Sequence, residues 1–259
     1  MPGSLKSSKP DSLKPKSLNP KSLEPKFWSS DNVIKWNRVL ERFTVEEVLG
    51  WGIETFGSGL VTATGFGPSG IVLMHHLAKI ATDPTVFYLE TDLLFEETYA
   101  LRDSLVERLG IEIRAVHSGV SLWRQAQQHG PDLWARNPDQ CCFIRKMLPL
   151  RRFLADKSAW VTALRRDQSS TRSRIGAIEW DSGNGLVKIN PLANWTNEEI
   201  WRYIRLHDLP YNSLHDQDYP SLGCMPCTKP AAEGAEARSG RWDGFAKTEC
   251  GIHRRRQVI

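Results

Sequence analysis

Residues 59–64 (GLVTAT) form a short, β-branched run, and glycines follow it at Gly65, Gly67 and Gly70. A continuous apolar run of this length predicts a strand buried on both faces. Residues 69–80 then switch to helical periodicity, and residues 85–90 (TVFYLE) repeat the buried-strand pattern. Residues 96–109 predict an amphipathic helix with Gly110 as its stop, and residues 111–116 and 159–164 predict two more strands. Capping boxes mark two further helix starts, Thr44 with Glu47 and Thr196 with Glu199. The DSGNG segment at 181–185 predicts a tight turn inside an antiparallel excursion near residues 175–189. Beyond about Tyr219 the periodicity fades, and the last forty residues read as loop and mobile tail. Strand–helix alternation over this length predicts an α/β fold with a mostly parallel central sheet flanked by helices.

Composition narrows the picture. The chain has 259 residues, 40% of them hydrophobic and 25% charged, which disfavours collagen-like and fully disordered readings. Its longest apolar stretches fall far short of the roughly 20 residues of a membrane helix, so no membrane partner is expected. The net charge of +4 sits in the first 26 residues, where six lysines face two acids in a degenerate Ser-Leu-x-Pro-Lys repeat. The remainder is balanced, so nothing suggests a nucleic-acid-binding body. Residues 1–26 read as a disordered leader without the apolar core of a secretory signal. The expectation is therefore a cytoplasmic protein; the repeats and the preference for Lys over Arg speak against a mitochondrial transit peptide. The body reads as one α/β unit over 27–235 with a functional C-terminal extension over 236–259.

Five cysteines are too few for a disulfide scaffold. Four form two pairs, Cys141-Cys142 and Cys224-x-x-Cys227. Four thiolates can close a zinc site or hold a [4Fe–4S] cluster. Adjacent cysteines fit one ion poorly, whereas a cubane offers a separate iron to each, so the cluster is favoured over zinc and over inert buried thiols. Arg145 and Lys146 follow the tandem pair, with Arg151 and Arg152 further on. Such cations serve equally as a solvated helix face, as partners of an anionic cluster, or as anchors for an anionic substrate.

The fifth cysteine, Cys250, lies in a glycine-flanked segment (KTECGIH) beside His253 and Arg254, Arg255 and Arg256. Cationic neighbours favour the thiolate form that a nucleophile needs; the alternative is a free surface thiol. Upstream, Gly65-Phe66-Gly67-Pro68-Ser69-Gly70 joins a predicted strand to a predicted helix, where backbone N–H groups can cradle a phosphate-like anion. It is neither a Walker A loop nor a dinucleotide fingerprint, and a simple tight turn explains it as well.

Together these segments resemble the assimilatory adenylyl-sulfate (APS) reductases of the PAPS reductase family. The resemblance runs from about Thr64 to His253 through VFYLETDLLFEETYALR, CCFIRK, LRRDQSSTR, YPSLGCMPCT, RSGRW and ECGIH. It implies an adenine nucleotide α-hydrolase-like fold, a [4Fe–4S] cluster on Cys141, Cys142, Cys224 and Cys227, and reduction of APS to sulfite and AMP. Cys250 would be the nucleophile and thioredoxin or glutaredoxin the reductant. Lys146, Arg166, Arg238 and Arg241, with Gly65, Gly67 and Ser69, would bind substrate. His253 would assist tail closure or contact the sulfate. PAPS reductases keep the last motif but typically lack the four cluster cysteines, which points to APS. The chain departs from the family in the Gly65–Gly70 loop and in Glu90-Thr91-Asp92, where the family often has Asp-Thr-Gly. Competing readings are a PAPS reductase, a tRNA-thiolating ATP pyrophosphatase, and a non-catalytic cysteine-rich adaptor. The second lacks its SGGxDS-type loop here, and the third gives no reason for ECGIH beside RSGRW. The oligomeric state stays open, a homo-oligomer included.

Overall fold

A computed structural model of the chain describes residues 28–253. The predicted disordered leader, and Arg254–Arg256 of the predicted catalytic tail, lie outside the described residues. Two helices, α1 (Ser30–Leu40) and α2 (Val45–Phe56), precede the sheet. The capping box predicted at Thr44 opens α2, with Thr44 Oγ1 accepting from Glu47 N at 3.2 Å and Glu47 Oε2 from Thr44 N at 2.8 Å. Strand β1 (Leu60–Ala63) leads through the glycine-rich turn into α3 (Pro68–Ile80). Then come β2 (Val86–Glu90), α4 (Glu96–Leu109), β3 (Ile113–His117) and α5 (Leu122–His129). The short helices α6 (Leu133–Arg136) and α7 (Pro138–Cys142) pass through a π turn at Phe143–Met147 into α8 (Leu148–Leu154). Strands β4 (Ala159–Val161), β5 (Ile178–Asp181) and β6 (Leu186–Ile189) complete the sheet, and α9 (Asn197–Leu206) follows.

The strand order is β3-β2-β1-β4-β6-β5. All neighbours are parallel except β5 and β6, the predicted antiparallel excursion. Its turn forms because Asp181 Oδ1 accepts from Gly183 N and Asn184 N while Gly185 takes φ +72. The chain moves outward from β1 to β2 and β3, then returns to the other side of β1 with β4. That reversal opens a crevice at the carboxyl ends of β1 and β4, where open α/β sheets bind ligands.

Period-two alternation divides the strands between two cores. Leu60, Val86, Tyr88, Val187 and Ile189 face helices α1–α4 and α9. Val61, Phe87, Trp160 and Leu186 face the other way, onto Leu150 and Leu154 of α8 and onto Ile252 of the tail. The residues beyond Tyr219 form only short turns and the bridge Thr228–Arg241, as their composition predicts. The tail is nonetheless docked as far as His253.

Away from the crevice, α3 meets α9 through a cluster of rings. Tyr203 OH lies 3.0 Å from both His75 Nδ1 and Lys79 Nζ, His207 packs 4.9 Å from His75, and His76 stacks on Tyr203 and lies 2.6 Å from Glu46 Oε1. Burial, with Lys79, His207, His76 and Arg108 adding repulsion, lowers His75 to about 4. A histidine that is neutral when folded and protonated when unfolded contributes stability above its unfolded pKa and loses it as pH falls. Chemical denaturation should therefore show His75 costing the protein about 1 kcal/mol between pH 6.5 and pH 4, the full shift being discounted because the imidazole is partly open to solvent. His75→Phe should flatten that slope; an equally steep slope in the variant would assign it elsewhere.

Candidate active site

The crevice is a cleft of about 830 Å³ lined by the β1–α3 loop, the ends of β2 and β4, and the carboxyl tail. Thr64 Oγ1 accepts from Phe66 N at 3.1 Å and sets the loop, and Phe66 takes φ +58 with its ring 5.1 Å from Tyr88. A Cβ on Gly65 or Gly67 would meet no atom within 4 Å, so the backbone borders open space there. A Cβ on Gly70 would stand 2.9 Å from Thr64 Oγ1, which is why glycine is needed at that point. Gly67 caps α3 and Pro68 occupies its first position. The Pro-Ser-Gly departure thus preserves a helix amino terminus at the cleft, and Ser69 sits on its first turn.

Ser69 is held from the β4 side. Arg165 Nε donates to Ser69 Oγ at 2.8 Å, and Arg165 also binds Asp167, Trp195 O and Asn197. Asp167 Oδ2 accepts from Asn197 N at 2.6 Å, which ties α9 to the same corner. Arg166, the expected anion ligand, does not line the cleft. Its guanidinium binds Glu41 at 2.5 Å, Asn194, and Ile175 O at 2.8 Å. Arg165 is extended and Arg166 opens a 3₁₀ turn, so the two side chains diverge, Arg165 to the cleft and Arg166 toward Glu41 at the end of α1.

Lys146, Arg238, Arg241, Cys250 and His253 all line the cleft. Arg241 donates to Leu222 O at 2.9 Å and, with Arg238 and Lys247, packs around the ring of Trp242. Glu249 receives Arg172 at 3.0 and 2.7 Å and Arg238 at 3.3 Å. On the far side of Cys250, Gly251 adopts φ +97 where a Cβ would stand 2.8 Å from Met147 Sδ. His253 stacks on Trp160 at 5.5 Å. Burial, reinforced by Lys188, Arg172 and Arg238, lowers its pKa well below the usual histidine value, so the imidazole is neutral. Neither Arg165 nor Glu249 stands out in sequence: each lies within a quoted motif, but only the fold shows what it touches.

The tandem cysteines end α7, whose amino terminus is capped by Asn137 Oδ1 accepting from Gln140 N at 3.0 Å. Cys224 precedes and Cys227 ends a 3₁₀ turn anchored by Met225 N to Leu93 O at 2.7 Å and by Thr228 Oγ1 to Cys224 O at 2.8 Å. The four sulfur-bearing residues line one small cavity with Arg145, Lys146 and Trp242, and all are free thiols. Arg145 fastens that cavity to the acidic turn: its guanidinium donates to Asp92 Oδ2 and Thr91 O at 2.9 Å, and Thr91 Oγ1 lies 3.4 Å from Cys224 Sγ. Burial pushes Cys141 up to about 11 and Cys227 up to about 12, and raises Cys142. As thiolate ligands they would therefore need a strongly positive partner such as a metal centre. Among the described residues, no group of three or more His, Cys, Asp or Glu side chains is arranged to hold a single metal ion.

Lys146 borders both the cysteine cavity and the cleft. Burial opposes its charge, but the sulfurs of Cys224, Cys250 and Cys142 outweigh burial and raise its pKa. The π turn is what carries the chain from the tandem cysteines to this lysine, the kind of site where such turns recur.

Sheet, switch-point cleft and thiol-bearing tail define an α/β enzyme of the open, doubly flanked type. The sequence pattern of the phosphoadenosine phosphosulfate reductase domain matches residues 59–230. The chain belongs to that family. It is 53% identical over 227 residues to an adenosine 5'-phosphosulfate reductase of Salinibacter ruber, covering 87% of this chain and 90% of the relative. It is 48% identical over 219 residues to a phosphoadenosine 5'-phosphosulfate reductase of Gloeobacter violaceus, covering 83% and 91%. The solved phosphoadenylyl-sulfate reductase of Candida auris, a phosphate complex, superposes with TM-score 0.68 at 29% identity, over 78% of this chain and 98% of that one.

Proposed function

We propose that this chain reduces adenylyl sulfate to sulfite and AMP in the assimilatory route toward cysteine. The observation that carries the reading is that Cys250 lines the same cleft as the Gly65–Gly67–Ser69 loop and the cations Lys146, Arg238 and Arg241. The loop and the start of α3 suit the phosphate of the nucleotide, and Arg165 fixes Ser69 within it.

The Cys250 thiolate attacks the sulfur of bound APS. The bond from that sulfur to the bridging phosphate oxygen breaks, AMP leaves, and an S-sulfocysteine stays on Cys250. A thiolate of a reduced dithiol protein, thioredoxin or glutaredoxin, then attacks Cys250 Sγ and forms a mixed disulfide. Sulfite departs with the electron pair of the S–S bond. The donor's second thiol resolves the mixed disulfide, so the donor is oxidised by two electrons and Cys250 returns as a thiol. Bringing a thiolate to a sulfate sets negative charge against negative charge, and Lys146, Arg238 and Arg241 offset that repulsion. His253, neutral and stacked on Trp160, holds the tail rather than moving a proton.

Cys141, Cys142, Cys224 and Cys227 would hold a [4Fe–4S] cluster, the donor set fitting it for the reasons of spacing and buried thiols given above. When bound, it supplies an electrostatic centre next to Lys146, since the thiol exchanges carry both electrons. A soluble, cytoplasmic setting suits this redox chemistry, and among the described residues no helix is long and apolar enough to cross a membrane.

The similarity to the Gloeobacter violaceus protein favours PAPS as the second reading. Mixing the protein with APS and no reductant should add the mass of one SO₃ group, mapped to Cys250, with release of AMP. A kcat/KM comparison should favour APS over PAPS. An adduct elsewhere, or preference for PAPS, would overturn the proposal.

A further inference from the structure

Cys250 is held between two anchors of opposite character. After it, Gly251 packs on Met147 and Ile252 enters the apolar cluster with Trp160 and Phe87. Before it, the hold is polar. Glu249 Oε1 accepts from Arg172 Nε at 3.0 Å and from Thr171 Oγ1 at 3.4 Å, while Oε2 accepts from Arg172 Nη2 at 2.7 Å and Arg238 Nη2 at 3.3 Å. Arg238 also donates to Thr248 O at 2.9 and 3.3 Å. The side chains of Glu249, Arg172 and Arg238 are 14%, 13% and 19% exposed, so these bonds are shielded from water. A bidentate guanidinium–carboxylate pair fixes orientation as well as distance.

The polar anchor does not end at Arg172. Arg172 Nη1 donates to Gln168 Oε1 at 2.6 Å, and Gln168 Nε2 donates to Ala163 O at 3.3 Å and Ser69 Oγ at 3.4 Å. One hydrogen-bonded path therefore runs from the first turn of α3, through the loop after β4, to the residue before the tail thiol. The same serine receives Arg165.

We infer that Glu249 is a positioning residue: its carboxylate latches the tail shut through Arg172 and Arg238, and so sets the Cys250 thiol in register with the loop that includes Ser69. The inference deepens the reading of Cys250 as nucleophile and rests on it. The latch acts chiefly on placement of the thiol, with Arg238 shared between Glu249 and the cleft, so its loss is felt mainly in the sulfur-transfer step. The tail must open again for a reductant to reach Cys250 Sγ, and a latch of hydrogen bonds releases more readily than one of buried apolar surface.

The test uses the full-length, metal-replete protein with Glu249→Gln, which keeps shape, and Glu249→Ala. Without substrate, iodoacetamide labelling of Cys250, followed by peptide mass, should run about tenfold faster in Glu249→Ala, the factor expected from losing one net charge-assisted contact. With APS in single turnover, adduct formation should slow about tenfold or more in both variants, while KM moves less than about threefold. Release of sulfite from preformed adduct by a dithiol should be as fast as in the unaltered protein, or faster. Unchanged labelling together with unchanged adduct formation would overturn the latch. A fall in KM would overturn it too, showing that Glu249 competes with substrate for the two arginines. Faster labelling in a chain that never forms adduct would leave the latch standing and overturn the reading of function instead.

Discussion

Cys250→Ser is expected to stop sulfite release, lowering kcat on the order of 10⁴-fold or more. The hydroxyl is nearly the size of the thiol, so the variant removes chemistry and leaves shape. Among the described residues, the contacts that dock the tail fall on its neighbours and not on the sulfur: Arg172 and Arg238 hold Glu249 before it, and Gly251, Ile252 and His253 pack after it. The binding loop, Arg165 and Ser69 are equally untouched. AMP affinity should therefore stay within about threefold, and thermal stability should change little. A hydroxyl at neutral pH offers almost no anion and is a poor attacker at sulfur, so the loss falls on the first step. Stopped-time assays of sulfite and AMP check both products. If Cys250→Ser retained activity within about a hundredfold of the unaltered chain, the tail would be a lid and the nucleophile would have to be sought elsewhere.

The fold places this chemistry by simple means. A reversal of strand order makes the crevice, a glycine-rich turn exposes a helix amino terminus to it, and the tail delivers a thiol across it. The second sheet face takes part, because Ile252 completes the apolar layer over Val61, Phe87 and Trp160. Docking the tail thus buries hydrophobic surface and seats the Cys250 thiol in one act. Opening it would expose that surface, which favours the closed state.

How far the sequence carried this is visible residue by residue. Strands such as 59–64 and 85–90 are legible because parallel strands buried on both faces leave uninterrupted apolar runs. The observed strands are shorter, Leu60–Ala63 and Ala159–Val161, since their carboxyl ends give way to the loops of the cleft. Helix α1 is harder to read: its cap residue Ser29 makes no side-chain bond, and its apolar positions Val33, Trp36 and Leu40 follow directly on the polar leader. Arg165 and Arg166 are adjacent in a loop with no period, so nothing in the sequence says which faces the cleft. The pairings of Glu249 with Arg172, and of Arg145 with Asp92, span 77 and 53 residues and are set by topology alone. The tail reads as mobile because low periodicity reports missing secondary structure, not missing contacts. Lys247 is buried and binds Asp139, yet belongs to no helix or strand.

Lys146→Met should lower kcat/KM for APS about 10²–10³-fold, a loss of roughly 3–4 kcal/mol of transition-state stabilisation. Methionine keeps the length and the apolar stem and removes only the charge. That charge stands at the one wall shared by the cysteine cavity and the cleft, where it faces sulfurs of Cys142, Cys224 and Cys250. Each of those sulfurs raises its pKa despite burial, so the lysine is positive when sulfate arrives. In the proposed attack, negative charge from thiolate and sulfate would crowd into the space beside it, where one fixed cation in a protein cleft counts for more than in water. Arg238 is shared with Glu249 and Thr248, and Arg241 with Leu222 and Ser221, so both add to the offset of charge but neither replaces Lys146. Lys146→Arg restores charge but presents a broad planar fork where a compact ammonium fits, and should recover about tenfold of the loss. Steady-state kinetics with APS, alongside iron and sulfide content of each variant, separates the two roles of the wall. Full metal content with a large loss of kcat/KM assigns the lysine to the reaction, whereas loss of metal in step with activity would assign it to assembly of the cysteine site.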